Sequence, residues 1–303
     1  MWPGGKDGAG VAQRLINEIP PHEVFVSTCL GDCAVMRRKR PAARSVGIDL
    51  DEGVLRRWIS RREQLPGLEL YRCDAVEWLR HSLGWYRVAT AGDAAGSDAR
   101  SSDDGSGDGR SPRQPAIAAV ATSGDGGSRH HRPLKMAAGS QSPNRATGDR
   151  QPQVPASPAA GWFIFADPPY LMATRSCRQR MYAHEPSEAW HVDLVETLIY
   201  AASSGAAVMC VHYPSPLYAE ALQTWRTWTY RSMTRGGRMA TEQVWCSYPR
   251  PEVLHDPRWL GADKREREKL MRRRRNLLDK IRRLSPLERQ SLLDAIACGI
   301  PSP

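Results

Sequence analysis

Short apolar runs of strand length alternate along this chain with segments of helical periodicity, and that alternation restricts the fold more than any other feature. Val11, Leu15, Ile16 and Ile19 mark one face of a helix that stops at Pro20-Pro21, after which Glu23-Val24-Phe25-Val26-Ser27 reads as a strand. The next turn carries Gly31. A helix through Val35 and Met36 leads past Pro41 to the strand Ser45-Val46-Gly47-Ile48-Asp49 and then to a helix around Val54, Leu55 and Trp58. A third strand, Leu68-Glu69-Leu70-Tyr71-Arg72, ends at Cys73-Asp74, and Val76 to Leu83 is helical. The pattern resumes with the strand Trp162-Phe163-Ile164-Phe165-Ala166, a helix over 190–202, a strand over 206–211 and a helix from Pro216 to about Trp225. Two final strands, 228–233 and 241–248, join through Gly236-Gly237 as an antiparallel hairpin. The expected fold class is therefore α/β: a doubly wound, mostly parallel sheet with helices on both faces, closed by that hairpin.

Between the third and fourth strands lies a stretch, 84–160, rich in Gly, Ser, Asp, Arg and Pro. Runs such as Ser101-Ser102-Asp103-Asp104-Gly105 bury too little surface to offset the entropy of ordering them, so this insert is expected to be disordered. The domain plan is then 1–83, the insert 84–160, a second half 161–250, and a tail 251–303. Seven cysteines at 29, 33, 73, 177, 210, 246 and 298 are odd in number and lack a CxxC pair, which argues against a disulfide framework or a zinc site. No run approaches the roughly 20 apolar residues of a membrane span. A monomeric, cytoplasmic protein without a membrane partner is expected.

Four strand ends carry groups suited to a ligand: Gly31, Asp49, Asp74 and Asp167. In a doubly wound sheet, ligands lie outside the carboxyl ends of the strands, so these four converge on one crevice. The turn Thr28-Cys29-Leu30-Gly31-Asp32-Cys33 has a single glycine and no GxGxxG fingerprint, which favours a nucleoside over a dinucleotide. Asp49 offers acceptors for two ribose hydroxyls and Asp74 for an adenine amine; each is equally readable as a capping or turn carboxylate. Asp167-Pro168-Pro169-Tyr170 ends its strand in a stiff elbow, since two prolines stop the sheet ladder. A carboxylate and a phenol flank it, giving an acceptor for an N–H group and an aromatic face for a flat base. The plain alternative is an ordinary strand exit closed by Pro-Pro.

Together these residues resemble the Dam-like adenine-N6 DNA methyltransferases that use S-adenosylmethionine. Trp2-Pro3-Gly4-Gly5-Lys6 is similar to that family's aromatic-Pro-Gly-Gly-Lys opening, and it precedes the glycine turn, the second-strand acid and Asp-Pro-Pro-Tyr in the family's order. Segments such as Tyr182-Ala183-His184-Glu185, Ser215-Pro216-Leu217-Tyr218 and Ala240-Thr241-Glu242-Gln243-Val244-Trp245 also look like family pieces. The resemblance implies a Rossmann-like methyltransferase fold, with S-adenosylmethionine held by Trp2, Lys6, Gly31, Asp49 and Asp74. It implies a catalytic motif of Asp167, Pro168, Pro169 and Tyr170. Asp167 and the Pro168 carbonyl would accept the amino hydrogens of an adenine flipped out of the duplex, and Tyr170 would stack on it. The chain departs from the family by an extra acid, Asp32, at the glycine turn, and by the insert where members commonly carry a target-recognition domain. An RNA or cytosine-N4 amino methyltransferase, or an inactive nucleic-acid-binding remnant, stays open. A cytosine-C5 enzyme does not, because it needs a nucleophilic cysteine, typically in Pro-Cys, and the chain has no such dipeptide.

Charge points to the same partner class. Forty-three Lys and Arg against thirty-three Asp and Glu give a formal +10, which favours a polyanion, here double-stranded DNA. Loop arginines Arg175, Arg178 and Arg180 are expected nucleic-acid contacts, and the run Arg272-Arg273-Arg274-Arg275 the expected phosphate contacts. The last four sit in a helix with an apolar stripe of Leu270, Leu277, Leu278, Ile281 and Leu284. Ser285-Pro286-Leu287-Glu288 then opens a second helix with a capping box, so the tail is expected to form a helical hairpin. Interleaved acids allow the alternative of a solvated helix carrying i,i+4 pairs.

Overall fold

A computed structural model describes residues 6–8, 10–85, 158–175, 179–234 and 237–299. Seven strands form one sheet: β1 (Val24–Ser27), β2 (Arg44–Ile48), β3 (Leu68–Tyr71), β4 (Trp162–Ala166), β5 (Ala207–His212), β6 (Arg226–Met233) and β7 (Met239–Cys246). Their order is β3-β2-β1-β4-β5-β7-β6. The first five strands pair in parallel, and β7 runs antiparallel to both β5 and β6. This is a mixed α/β fold of Rossmann-like type, with its change of direction between β1 and β4.

Helices α1 (Val11–Ile16), α2 (Ala34–Arg38) and α3 (Glu52–Ile59) cover one face, and α4 (Ala75–Ser82), α5 (Glu188–Ser203) and α6 (Pro216–Ala221) cover the other. The strands alternate between two cores because successive side chains point to opposite faces. Phe25, Phe163 and Phe165 pack with Leu15, Met36 and Trp58; Val26, Ile164 and Ala166 pack with Leu79, Leu194 and Leu198. Gly47 sits inside β2 because a Cβ there would lie 2.6 Å from the Leu30 side chain, which closes that end of the first core.

The insert lies mostly outside the described residues, and its two edges make defined contacts. Trp85 stacks on Tyr200 at 4.8 Å, and Ala159 is fully buried with its N–H on the Ser204 carbonyl. Both ends are therefore pinned to α5 and the chain after it.

Two further helices follow the sheet, α7 (Lys264–Arg282) and α8 (Pro286–Ala297), and Ser285 with Glu288 forms the capping box that starts α8. Neither helix buries a residue. The apolar stripe expected to pack in a hairpin stays open, with Leu277 at 51% and Leu278 at 43% exposure. Periodicity gives the helices but not how they pack. Among the described residues no helix is long and apolar enough to cross a membrane.

Candidate functional site

A cavity of about 560 Å³ opens at the carboxyl ends of β1, β2, β3 and β4, beside the change of strand direction. That volume lies in the ordinary range for small-ligand pockets. Gly31, Asp49, Asp74, Asp167, Pro168, Pro169, Tyr170, Lys6 and Arg180 all line it. Trp2 and Arg178 lie outside the described residues, and Arg272–275 stand on α7.

The ladder positions the strand ends: Thr28 N–H donates to Phe165 O, Leu30 N–H to Ile48 O and Asp49 N–H to Tyr71 O. Gly31 takes a positive φ of 45° and is fixed from two sides, its N–H on Asp49 Oδ2 at 2.9 Å and its carbonyl accepting Trp58 Nε1 at 2.8 Å. Asp49 Oδ1 accepts Asp51 N–H at 2.9 Å. Burial raises the Asp49 carboxyl above its ordinary value, against the pull of these two N–H groups. Asp74 is the N-cap of α4: Oδ1 accepts Val76 and Glu77 N–H, and Oδ2 accepts Trp190 Nε1 at 2.6 Å. Its capping role is thus realised, and only its remaining lone pair on Oδ2 is left for a ligand amine. Asp32, the extra acid, is neutralised by Arg37 at 3.0 Å and Arg61 at 3.1 Å, so it does not burden the cavity with a free charge.

Beyond β4 the elbow is anchored by His212 at the end of β5. His212 is fully buried, and burial lowers it to about 4, so its ring is neutral. Nε2 accepts Leu171 N–H at 2.8 Å, leaving Nδ1 to donate to the Tyr213 carbonyl at 2.8 Å. Tyr170 is 7% exposed, with Tyr213 edge-on at 4.4 Å and His212 tilted at 4.8 Å. The expected stacking ring is largely enclosed by these neighbours.

Lys6, Asp167, Tyr170 and Glu242 meet behind the elbow. Lys6 Nζ lies 2.9 Å from Asp167 Oδ1 and 3.1 Å from Glu242 Oε2, and donates to Tyr170 Oη at 2.7 Å. The Tyr170 hydroxyl donates to Glu242 at 2.6 Å. Lys6, expected as a cofactor contact, is 4% exposed and has its ammonium against three protein oxygens. Among the described residues Asp167 Oδ2 carries no hydrogen bond, and the Asp167 side chain keeps 19% exposure. Burial raises Asp167 to about 6; Lys6 opposes that rise and Glu242 adds to it.

Arg175 departs from expectation. It is 9% exposed, forks onto Glu185 at 2.9 and 2.8 Å and donates to the Tyr170 carbonyl, so its guanidinium braces the loop from inside. Glu185 also accepts Met181 and Tyr182 N–H, which shapes the loop 180–187 over the cavity. Sequence reasoning did not single out Glu242 as a site residue. The available signal was its parity: it shares the inward register of β7 with Val244 and Cys246, where an acid is out of place unless paired.

A scan against known protein-family models and a search of curated proteins find no match for this chain.

Proposed function

We propose that this protein is an adenine-N6 DNA methyltransferase that draws on S-adenosylmethionine. The observation that carries this reading is Asp167: a carboxylate at the end of β4 that lines the cavity, with Oδ1 held by Lys6 and 19% of its side chain exposed. An exocyclic amine is a poor nucleophile because its lone pair is delocalised into the ring. A fixed acceptor for one amino hydrogen localises that pair and stabilises the positive charge that develops on nitrogen. The rigid Pro168-Pro169 elbow fixes the acceptor's position, and positioning of this kind supplies much of a displacement's barrier lowering.

The residues fit the cofactor. Asp49 and Asp74 line the same cavity as Asp167, Gly31 gives a close backbone approach, and the acids suit a cationic ligand bearing hydroxyls and an amine. Asp49 would take the ribose, Gly31 the methionine side and Asp74 the adenine. Bound there, S-adenosylmethionine supplies an electrophilic methyl group. The target adenine must leave the duplex to reach Asp167. Arg180 at the cavity and the basic α7 would hold the phosphates.

Nucleoside analysis by mass spectrometry of DNA and RNA from cells expressing the wild type and Asp167→Ala tests the reading. N6-methyladenine in DNA is expected with the wild type, falling by about 10²–10³-fold in the variant as a transition-state contact is lost. Methylated RNA or N4-methylcytosine would reassign the substrate. No methylated nucleoside from the wild type would overturn the proposal.

A further inference from the structure

Glu242 is 4% exposed, and a carboxylate so placed is costly unless charged or hydrogen-bonding partners surround it. It has four: the Lys6 ammonium at 3.1 Å, the Tyr170 hydroxyl at 2.6 Å, the Tyr230 hydroxyl at 2.7 Å and the Ser232 hydroxyl. Tyr230 and Ser232 stand on β6, so the hairpin holds the acid from behind while Lys6 and Tyr170 meet it from the site. Because Tyr170 gives its one proton to Glu242, its oxygen is turned to accept from Lys6 at 2.7 Å. That leaves Lys6 aimed at Asp167 Oδ1.

We propose that Glu242 is a positioning residue for Asp167. Fixed by Tyr230 and Ser232, it orients Lys6 and Tyr170 so that they engage Asp167 Oδ1 and leave Oδ2 as the acceptor a substrate amine meets. Without it, the Tyr170 proton is free to turn to Asp167, 3.3 Å away, and Lys6 loses one of its two carboxylates. A purely structural Glu242, tying β6 to β7, would act on Asp167 through its charge alone, so Tyr230→Phe, which keeps that charge, would leave both the Asp167 midpoint and kcat unmoved.

Besides Glu242, the ionisable groups that face Asp167 are Lys6, Tyr170, Tyr182, Tyr213, Tyr230 and the thiols of Cys29, Cys33 and Cys210. Of these only Lys6 is charged at neutral pH, since burial pushes the tyrosines and thiols up. Glu242 is held below its ordinary range by Lys6 and the hydroxyls, despite its burial, and so contributes a full negative charge beside Asp167.

The kinetic part of the test rests on the methyltransferase reading; the titration part does not. The Asp167 carboxyl is followed by ¹³C NMR against pH, assigned by its loss in Asp167→Asn, in the wild type and Glu242→Gln. Methyl transfer and S-adenosylmethionine binding are measured alongside. The variant is expected to lower the Asp167 midpoint by about half a unit or more and kcat by roughly tenfold, with the cofactor Kd within about twofold. An unchanged kcat overturns the proposal even if the midpoint moves, because loss of the Glu242 charge moves the midpoint by itself. Should Glu242→Gln fail to fold, Tyr230→Phe keeps the charge but removes an anchor. A moved Asp167 midpoint then supports the assignment and an unmoved one ends it. If the wild type transfers no methyl group, the reaction is wrong, yet the titration still decides what Glu242 does to Asp167.

Discussion

Asp167 combines two requirements that pull in opposite directions. It must be ionised to accept an amino hydrogen, and burial disfavours that state, bringing the group to about 6 in spite of Lys6. The rate of methyl transfer should therefore be level above about pH 7 and fall toward tenfold per unit once pH is well below 6, following the ionised fraction. A pH–rate profile with no limb near 6 would separate the rate from this carboxylate. Stability has the opposite sign. Asp167 is raised above its unfolded value, so its contribution to folding is fully present below the ordinary aspartate range and lost as pH rises through about 6. The site works in the protonation state that the fold tolerates less well.

At the scale of elements, the loop after β4 owes its shape to one buried pair. Arg175 and Glu185 are 5% and 6% exposed at their side chains, and the fork between them sets the turn that presents Tyr182 and His184 to the cavity. Arg175→Ala leaves the Glu185 charge without its cation, and thermal or urea unfolding should show a loss of about 3 kcal/mol. DNA affinity should keep its salt slope in that variant, because the guanidinium is already taken up by Glu185; a reduced slope would place it at the interface. The sequence could not show this, since Arg175 lies in a loop with neighbouring arginines and nothing local marks it as internal. The strands and helices were legible for a physical reason. Strands buried on both faces read as unbroken apolar runs, and their carboxyl ends are where Asp49, Asp74 and Asp167 stand. What Asp74 does was not legible: its bond to Trp190 spans 116 residues, and only the folded chain brings α5 against that cap.

For the whole molecule, basic side chains are concentrated on the exposed helix α7. Among the described residues none of Arg272–275 enters an ion pair, unlike Lys264 with Glu268 and Arg282 with Asp279. Solvated i,i+4 pairing thus does not account for these four. Replacing them together by alanine should reduce the slope of log affinity for DNA against log salt by about 3.6 if each contacts a phosphate, close to 0.9 for each contact. An unchanged slope would leave the run as a plain solvated surface. Their placement was legible as charge, whereas the open apolar stripe beside them was not, because periodicity reports a face but not what meets it.

The contact of Lys6 with Asp167 and Glu242 joins residues on opposite sides of the long segment 86–157. A chain divided in that segment would give one fragment with Lys6, Asp49 and Asp74 and another with Asp167, Tyr170 and Glu242. Neither half contains a whole site, so activity would report the reassembly of the two fragments.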